Sequence, residues 1–145
     1  MNETILRFGY PDTLVAEYRH WLVLLRPAQP TLGSLVLAST SEAHRFSELP
    51  PAAFAELAAV VVDIEQVLAA AISFKKINYL MLMMVHPHVH WHVIPRYDGS
   101  REAEGIAIAD AGWPKLPQLG EALSLEPAQV ATLREWLRAR WPARG

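Results

Sequence analysis

Apolar residues gather in short blocks in the first quarter of the chain, in one long repeat of three and four in its middle, and in alternation with histidine near residue 90. Residues 14–18, 21–25 and 33–38 are clusters of β-branched and large apolar side chains between turn formers, and they predict three strands. Arg26-Pro27-Ala28-Gln29-Pro30-Thr31 reads as the connection between the second and third, because proline lacks an N–H and resists both helix and central strand. From residue 51 to about 72 the period becomes helical. Phe54, Leu57, Val61, Ile64, Leu68 and Ile72 recur at three- and four-residue steps, forming one stripe of a helix of roughly six turns at about 3.6 residues per turn. Pro50 and Pro51 mark its start. Residues 77–85 and 88–95 predict two more strands, joined at His86-Pro87 in a hairpin, and residues 98–104 a polar loop. Ser124 is placed to cap a last helix from about 125 to 141, with Val130, Leu133, Leu137 and Trp141 inward.

The long helix carries a second message. Its clearly polar residues are Glu56, Asp63, Glu65 and Gln66, while Val60, Val62 and Val67 lie outside the main stripe, so more than one face is apolar. Two arrangements fit: a partner packed beyond the chain's own sheet, or a core helix with alanines toward solvent.

Composition narrows the classes. With 145 residues, 52% hydrophobic and 19% charged, the chain fits one domain, residues 1–145, with a sizeable core. A net charge of -2 provides no broad basic field, which argues against nucleic acid polymers as partners and leaves a mononucleotide-sized ligand open. The absence of cysteine excludes disulfides, thiolate catalysis and Cys-ligated zinc, and fits a reducing compartment. The first eight residues lack the basic start and long apolar core of a secretory signal, and no apolar run reaches spanning length. The expectation is a cytoplasmic protein with no membrane partner.

Candidate chemistry concentrates in Val85-His86-Pro87-His88-Val89-His90-Trp91-His92-Val93-Ile94-Pro95-Arg96-Tyr97. On a strand, His88, His90 and His92 line one face while Val89, Trp91 and Val93 line the other. Three readings are open. As a structural feature, the row would set several polar rings side by side with few partners. As a metal site, neighbouring rings about 7 Å apart could share an ion at about 2.1 Å, but three in a straight row converge poorly and only His20, His44 and scattered carboxylates are left to complete the set. In phosphorus chemistry, a neutral imidazole attacks a phosphoryl centre while neighbouring donors hold the non-bridging oxygens. Like charges so close disfavour full protonation and leave some rings neutral near pH 7.

The run His88-Val89-His90-Trp91-His92-Val93-Ile94 resembles the His-φ-His-φ-His-φ-φ pattern of the histidine triad (HIT) family, where φ is apolar, and Pro95-Arg96 is a frequent continuation. The chain resembles the bacterial diadenosine tetraphosphate hydrolase-like branch, and the resemblance is strongest over residues 14–97. Trp113-Pro114 is also similar to a pair that follows the triad in some bacterial members. His86-Pro87-His88 resembles instead the His-Pro-His of the galactose-1-phosphate uridylyltransferase branch, which would shift the triad to His86, His88 and His90. That register ends on Trp91 and His92, whereas Val93 and Ile94 restore the pattern for His88, His90 and His92.

The resemblance implies an α+β fold, with an antiparallel sheet of about five strands, a long helix and a C-terminal helix, pairing as a homodimer. It implies a small-molecule nucleotide substrate and no cofactor or catalytic metal. His90 would be the nucleophile, forming a nucleotidyl-histidine intermediate that water releases, with His88 and His92 orienting it and binding phosphate. The reaction would be hydrolysis at the α-phosphate of a dinucleoside polyphosphate or a nucleoside phosphoramidate. Alternatives are a nucleotidyltransferase of the same superfamily, or a non-catalytic nucleotide- or metal-binding module. His86 is a candidate proton donor to the leaving group by position alone. Many relatives carry a Gly-rich segment with serine or glutamine before the triad, where this chain has Met83-Met84-Val85-His86-Pro87. In place of the acidic residue or asparagine that often holds the ribose stand Arg26 and Gln29, which with Asn78 are the candidate substrate-binding residues. An arginine beside a proline-rich turn is also commonly just solvated.

Overall fold

The computed structural model of the protein describes residues 1–143. In chain order it contains a short helix α1 (Glu3–Arg7), strands β1 (Leu14–Glu17), β2 (Trp21–Leu25), β3 (Ala28–Gln29) and β4 (Leu35–Ser39), and the long helix α2 (Pro51–Ile72). Strands β5 (Lys76–Leu80), β6 (His90–Arg96), β7 (Ser100–Ala103), β8 (Ile106–Ala109) and β9 (Leu123–Ser124) and the helix α3 (Pro127–Arg138) follow. Five strands form one antiparallel sheet in the order β1-β2-β4-β6-β5, so the fold is α+β as expected.

Strand β2 is buried at every position, which explains its unbroken apolar run: it has cover on both faces. Trp21, Val23 and Leu25 join Leu35, Leu37 and Val93 in the core beneath α2 and α3. Leu22 and Leu24 join Val36 and Ala38 on the opposite face, beneath Ile5 and Phe8 of the N-terminal segment. Paired residues in an antiparallel sheet share a face. The register Val36↔His92 and Ala38↔His90 therefore sets both histidines on the side covered by α1.

Helix α2 keeps the predicted boundaries but not the predicted stripe. Its buried side chains are Ala53, Val60, Asp63, Ile64, Val67, Leu68 and Ile72, whereas Phe54 is 41% exposed and Leu57 and Val61 are half-buried. Its rotation is fixed by polar contacts: Tyr18 donates to Asp63 Oδ2 at 2.7 Å and the Trp21 indole to the Ala53 carbonyl at 2.8 Å. Burial of Asp63 tracks that hydrogen bond, which a count of apolar positions misses.

Other boundaries moved for local reasons. Strand β5 ends at Leu80, and residues 81–89 form a connection in place of a tight hairpin at His86-Pro87. Pro87 offers no N–H and keeps His86 out of helical geometry, so pairing resumes only at His90. The 98–104 loop is the start of the β7–β8 hairpin, turning at Glu104 and Gly105, both with positive φ, and burying Ala103, Ile106 and Ile108 by alternation. The proline-flanked connection contains β3, whose Ala28 and Gln29 pair with Ser124 and Leu123. Ser124 is thus a strand residue. Helix α3 is capped instead by Glu126 and Gln129 reciprocally, with Pro127 in its first turn, and ends before Trp141. Helix α1, which the sequence pattern did not predict, is capped by Asn2, whose side chain accepts from the Ile5 N–H at 3.0 Å. No helix among the described residues is long and apolar enough to cross a membrane.

Candidate active site

Strand β6 projects His90 and His92 onto the α1 face, their rings 5.2 Å apart, while Trp91 and Val93 enter the opposite core. Nδ1 of His90 lies 2.7 Å from the His88 carbonyl oxygen. A carbonyl only accepts, so Nδ1 carries the proton and donates, leaving the Nε2 lone pair free. Burial lowers the His90 pKa, opposed by that backbone bond and assisted by the nearby His86 and His88 charges, which keeps the ring neutral at pH 7. The residue is only 2% exposed, and among the described residues Nε2 makes no hydrogen bond and is not sealed from solvent.

His92 holds the opposite tautomer. Arg26 Nε donates to its Nδ1 at 3.3 Å, so the proton of the neutral ring sits on Nε2, a donor toward the site. Burial, then the Arg26 charge, pushes its pKa down to about 4. Arg26 also donates to the Ala28 carbonyl, and burial lowers its own pKa. Half-buried, it stands behind His92 and sets that ring's proton.

His88 precedes the strand, on the entering loop. Its Nδ1 is 2.8 Å from Thr4 Oγ1, its Nε2 3.1 Å from Glu42 Oε2, and its backbone N–H donates to Thr4 Oγ1 at 3.3 Å. The His44 ring packs edge-on at 4.7 Å. His86 lies on the same loop, half-buried, 4.7 Å from the Phe8 ring and 6.4 Å from that of His90. The four rings are therefore not one straight row: two are on the strand and two on the loop that feeds it.

Phe8 closes the cluster from above, with ring centroids 5.4 Å from His90 and 5.8 Å from His92. Thr4, Phe8 and Glu42 are site residues that sequence reasoning passed over, and His44, weighed there only as a further metal ligand, packs against His88 instead; all four arrive through tertiary packing. Gln29 does not reach the site. It is fully buried, its amide donating to the carbonyls of Arg26 and Ser34 and accepting from the Gly33 N–H, which makes it the internal brace of the β2–β4 turn. Asn78 shares the triad face two residues along β5 from Leu80, the partner of His92, and accepts from Arg96 Nη1 at 2.8 Å. Among the described residues no three His, Asp or Glu side chains are grouped to hold a metal ion.

The HIT domain family matches residues 10–99, which include β1 to β6 and the whole triad. Among solved structures, a histidine triad protein from Bradyrhizobium japonicum superposes with a TM-score of 0.74 at 18% identity, covering 97% of this chain and 96% of its own. One from Sinorhizobium meliloti gives 0.74 at 20% identity, covering 97% and 95%. The Plasmodium falciparum diadenosine triphosphate hydrolase gives 0.65 at 8% identity, covering 89% and 76%. No curated protein sequence matches the chain. A family match over most of the chain and a shared fold agree: the chain belongs to the histidine triad (HIT) family.

Proposed function

We propose that the protein is a single-domain nucleotide hydrolase that cleaves at the α-phosphate of a dinucleoside polyphosphate or a nucleoside phosphoramidate. The observation that carries this reading is the pair of opposed tautomers, an unprotonated Nε2 on His90 beside a protonated Nε2 on His92. One is a nucleophile and the other a donor for a phosphoryl oxygen.

In the first step His90 Nε2 forms a bond to the α-phosphorus, and the bond from phosphorus to the leaving oxygen or nitrogen breaks. The leaving atom keeps the electron pair and takes a proton, which we assign to His86. The substituted His90 ring is then cationic, and the His88 carbonyl at 2.7 Å from Nδ1 stabilises that charge. In the second step water attacks phosphorus, Nε2 recovers its electron pair, and the water proton returns to His86. His88, held by Thr4 and Glu42, fixes the carbonyl on which the His90 tautomer depends.

The cysteine-free composition supports a cytoplasmic setting. Pairing as a homodimer is supported by the outer side of α2, where Phe54 and Val62 are 41% and 48% exposed beside a shallow apolar cavity lined by Leu37, Leu57, Val61, Tyr79 and Trp91.

The test is turnover of a panel of dinucleoside polyphosphates and nucleoside phosphoramidates by chelator-treated protein, beside His90→Ala. Hydrolysis lost by at least about a thousandfold in the variant is the expected result, on the scale of removing a nucleophile. Turnover only when a phosphate acceptor is added would make it a transferase, and binding without turnover a non-catalytic nucleotide module. His86→Ala should slow substrates with poor leaving groups more than those with good ones; equal rates remove His86 from the mechanism.

A further inference from the structure

Beside the triad, on the same face of the sheet, a cavity of about 540 Å³ opens between β5 and the loop of residues 111–117. Its near end is Leu80, directly opposite His92 across the β5–β6 pair, so it begins one strand away from the reactive rings. It runs along Asn78 to Lys76 and Arg96, four residues further along β5, a span of about 13 Å at the rise of a strand. Arg26 stands behind His92 and Phe8 lies over His90 and His92, while on the β5 side the cavity lies open to a second half of a substrate.

The cavity wall is polarised. Lys76 and Lys115 line it, and Lys75 places Nζ 6.0 Å from the Trp113 ring centroid; none of the three forms an ion pair among the described residues. Arg96, by contrast, is spent: it is buried, bound to both oxygens of Asp110 at 2.7 and 3.1 Å and to Asn78. In a chain of net charge -2, three unpaired lysines around one indole are a local positive field. Trp113 and the 78% exposed Leu116 supply the apolar part of the same wall. The loop that presents them is fixed in advance. Asp110 Oδ1 accepts from the Gly112 N–H, Lys115 N–H donates to the Gly112 carbonyl, and a Cβ at Gly112 would collide with the Leu116 carbonyl.

We infer that this cavity binds the leaving half of a bipartite substrate, a nucleoside carrying a short polyphosphate, with Lys76 and Lys115 on phosphate oxygens and Trp113 against the base. Lys76, Lys115 and Trp113 share the wall of one cavity that starts beside the phosphoryl site, which suits the base of such a half and the phosphates joining it to the reacting one. The inference rests on the proposed hydrolase reading and selects dinucleoside polyphosphates over phosphoramidates of small amines within it.

The experiment compares the wild type, Lys76→Ala/Lys115→Ala and Trp113→Phe on two substrates, a dinucleoside tetraphosphate and a nucleoside phosphoramidate with a small neutral amine. The double variant should raise KM for the first about tenfold or more and leave kcat/KM for the second unchanged, and both lysines are exposed, so folding is spared. Equal effects on both substrates would overturn the cavity's role and leave hydrolysis standing. Calorimetric titration with ADP, and separately with inorganic pyrophosphate, gives a readout free of catalysis even when the wild type turns over neither substrate. Loss of one ADP site in the double variant supports the inference. Pyrophosphate binding as tightly as ADP, with Trp113→Phe and Trp113→Ala both silent, overturns the nucleoside assignment, and an unchanged ADP isotherm overturns the site.

Discussion

His90 and His92 are two residues apart on one strand and carry their protons on different nitrogens, because one Nδ1 faces a carbonyl acceptor and the other an arginine donor. The sequence placed these two rings on a common face; it held no information on their tautomers, which depend on the His88 backbone and on a residue far upstream. Burial is the larger cause of the low His92 pKa and the Arg26 charge the second, so for Arg26→Leu titration followed by NMR should show the ring moving up from about 4 by only part of the way to its ordinary value. The same shift sets a stability profile. An unfolded His92 takes up its proton near 6.5 and the folded one only near 4, so between those values the unfolded state binds more protons. Stability should therefore be complete above about pH 6.5 and fall as pH drops toward 4. Thermal melts across this window should be flatter for His92→Gln, and an identical slope would remove His92 as the cause.

At the scale of elements, the site is where three pieces meet: β6, the 81–89 loop and α1. The last is a single turn that could not stand alone in water, so its place is set by docking. Asn2 does this twice, capping the helix and donating to the Ser39 and Ser41 carbonyls at 2.9 Å each. Asn2→Ala should lower stability by about 0.5–2 kcal/mol, the range for a lost cap, and raise hydrogen exchange in α1 ahead of the sheet. A larger effect is expected at the end of β8, where Asp110 holds Arg96 and the Tyr97 N–H. Asp110→Ala leaves a buried guanidinium unpaired, at a cost of about 3–5 kcal/mol in denaturant unfolding. This pair was invisible in the sequence because β7 and β8 separate its members. Residues 81–85, expected as the end of a strand, lie in the connection for a related reason: the methionines and Val85 look ready for burial, yet Met84 and Val85 are 85% exposed, since no strand lies beyond β5 to receive them.

For the whole molecule, the apolar character of α2 on more than one face has two consequences of different standing. Its inward side completes the core over β2, β4 and β6. Its outward side, with Phe54 and Val62, is the surface proposed for pairing, and Phe54→Lys/Val62→Lys should convert a dimer to a monomer in sedimentation velocity while costing the monomer little. A wild type that sediments as a monomer at tens of micromolar would end that proposal.

The sequence by itself determined the family, through a motif of consecutive residues, and the span of α2 and the strands β1, β2, β4 and β6, because these rest on a local period that backbone geometry imposes: two for a strand and 3.6 for a helix. Only tertiary structure decided the rotation of α2, the burial of Gln29, the docking of Phe8 over the histidines and the meeting of Lys76 with the Trp113 loop. These are matters of which groups from distant segments satisfy one another's hydrogen bonds and surfaces, and no repeat along the chain encodes them.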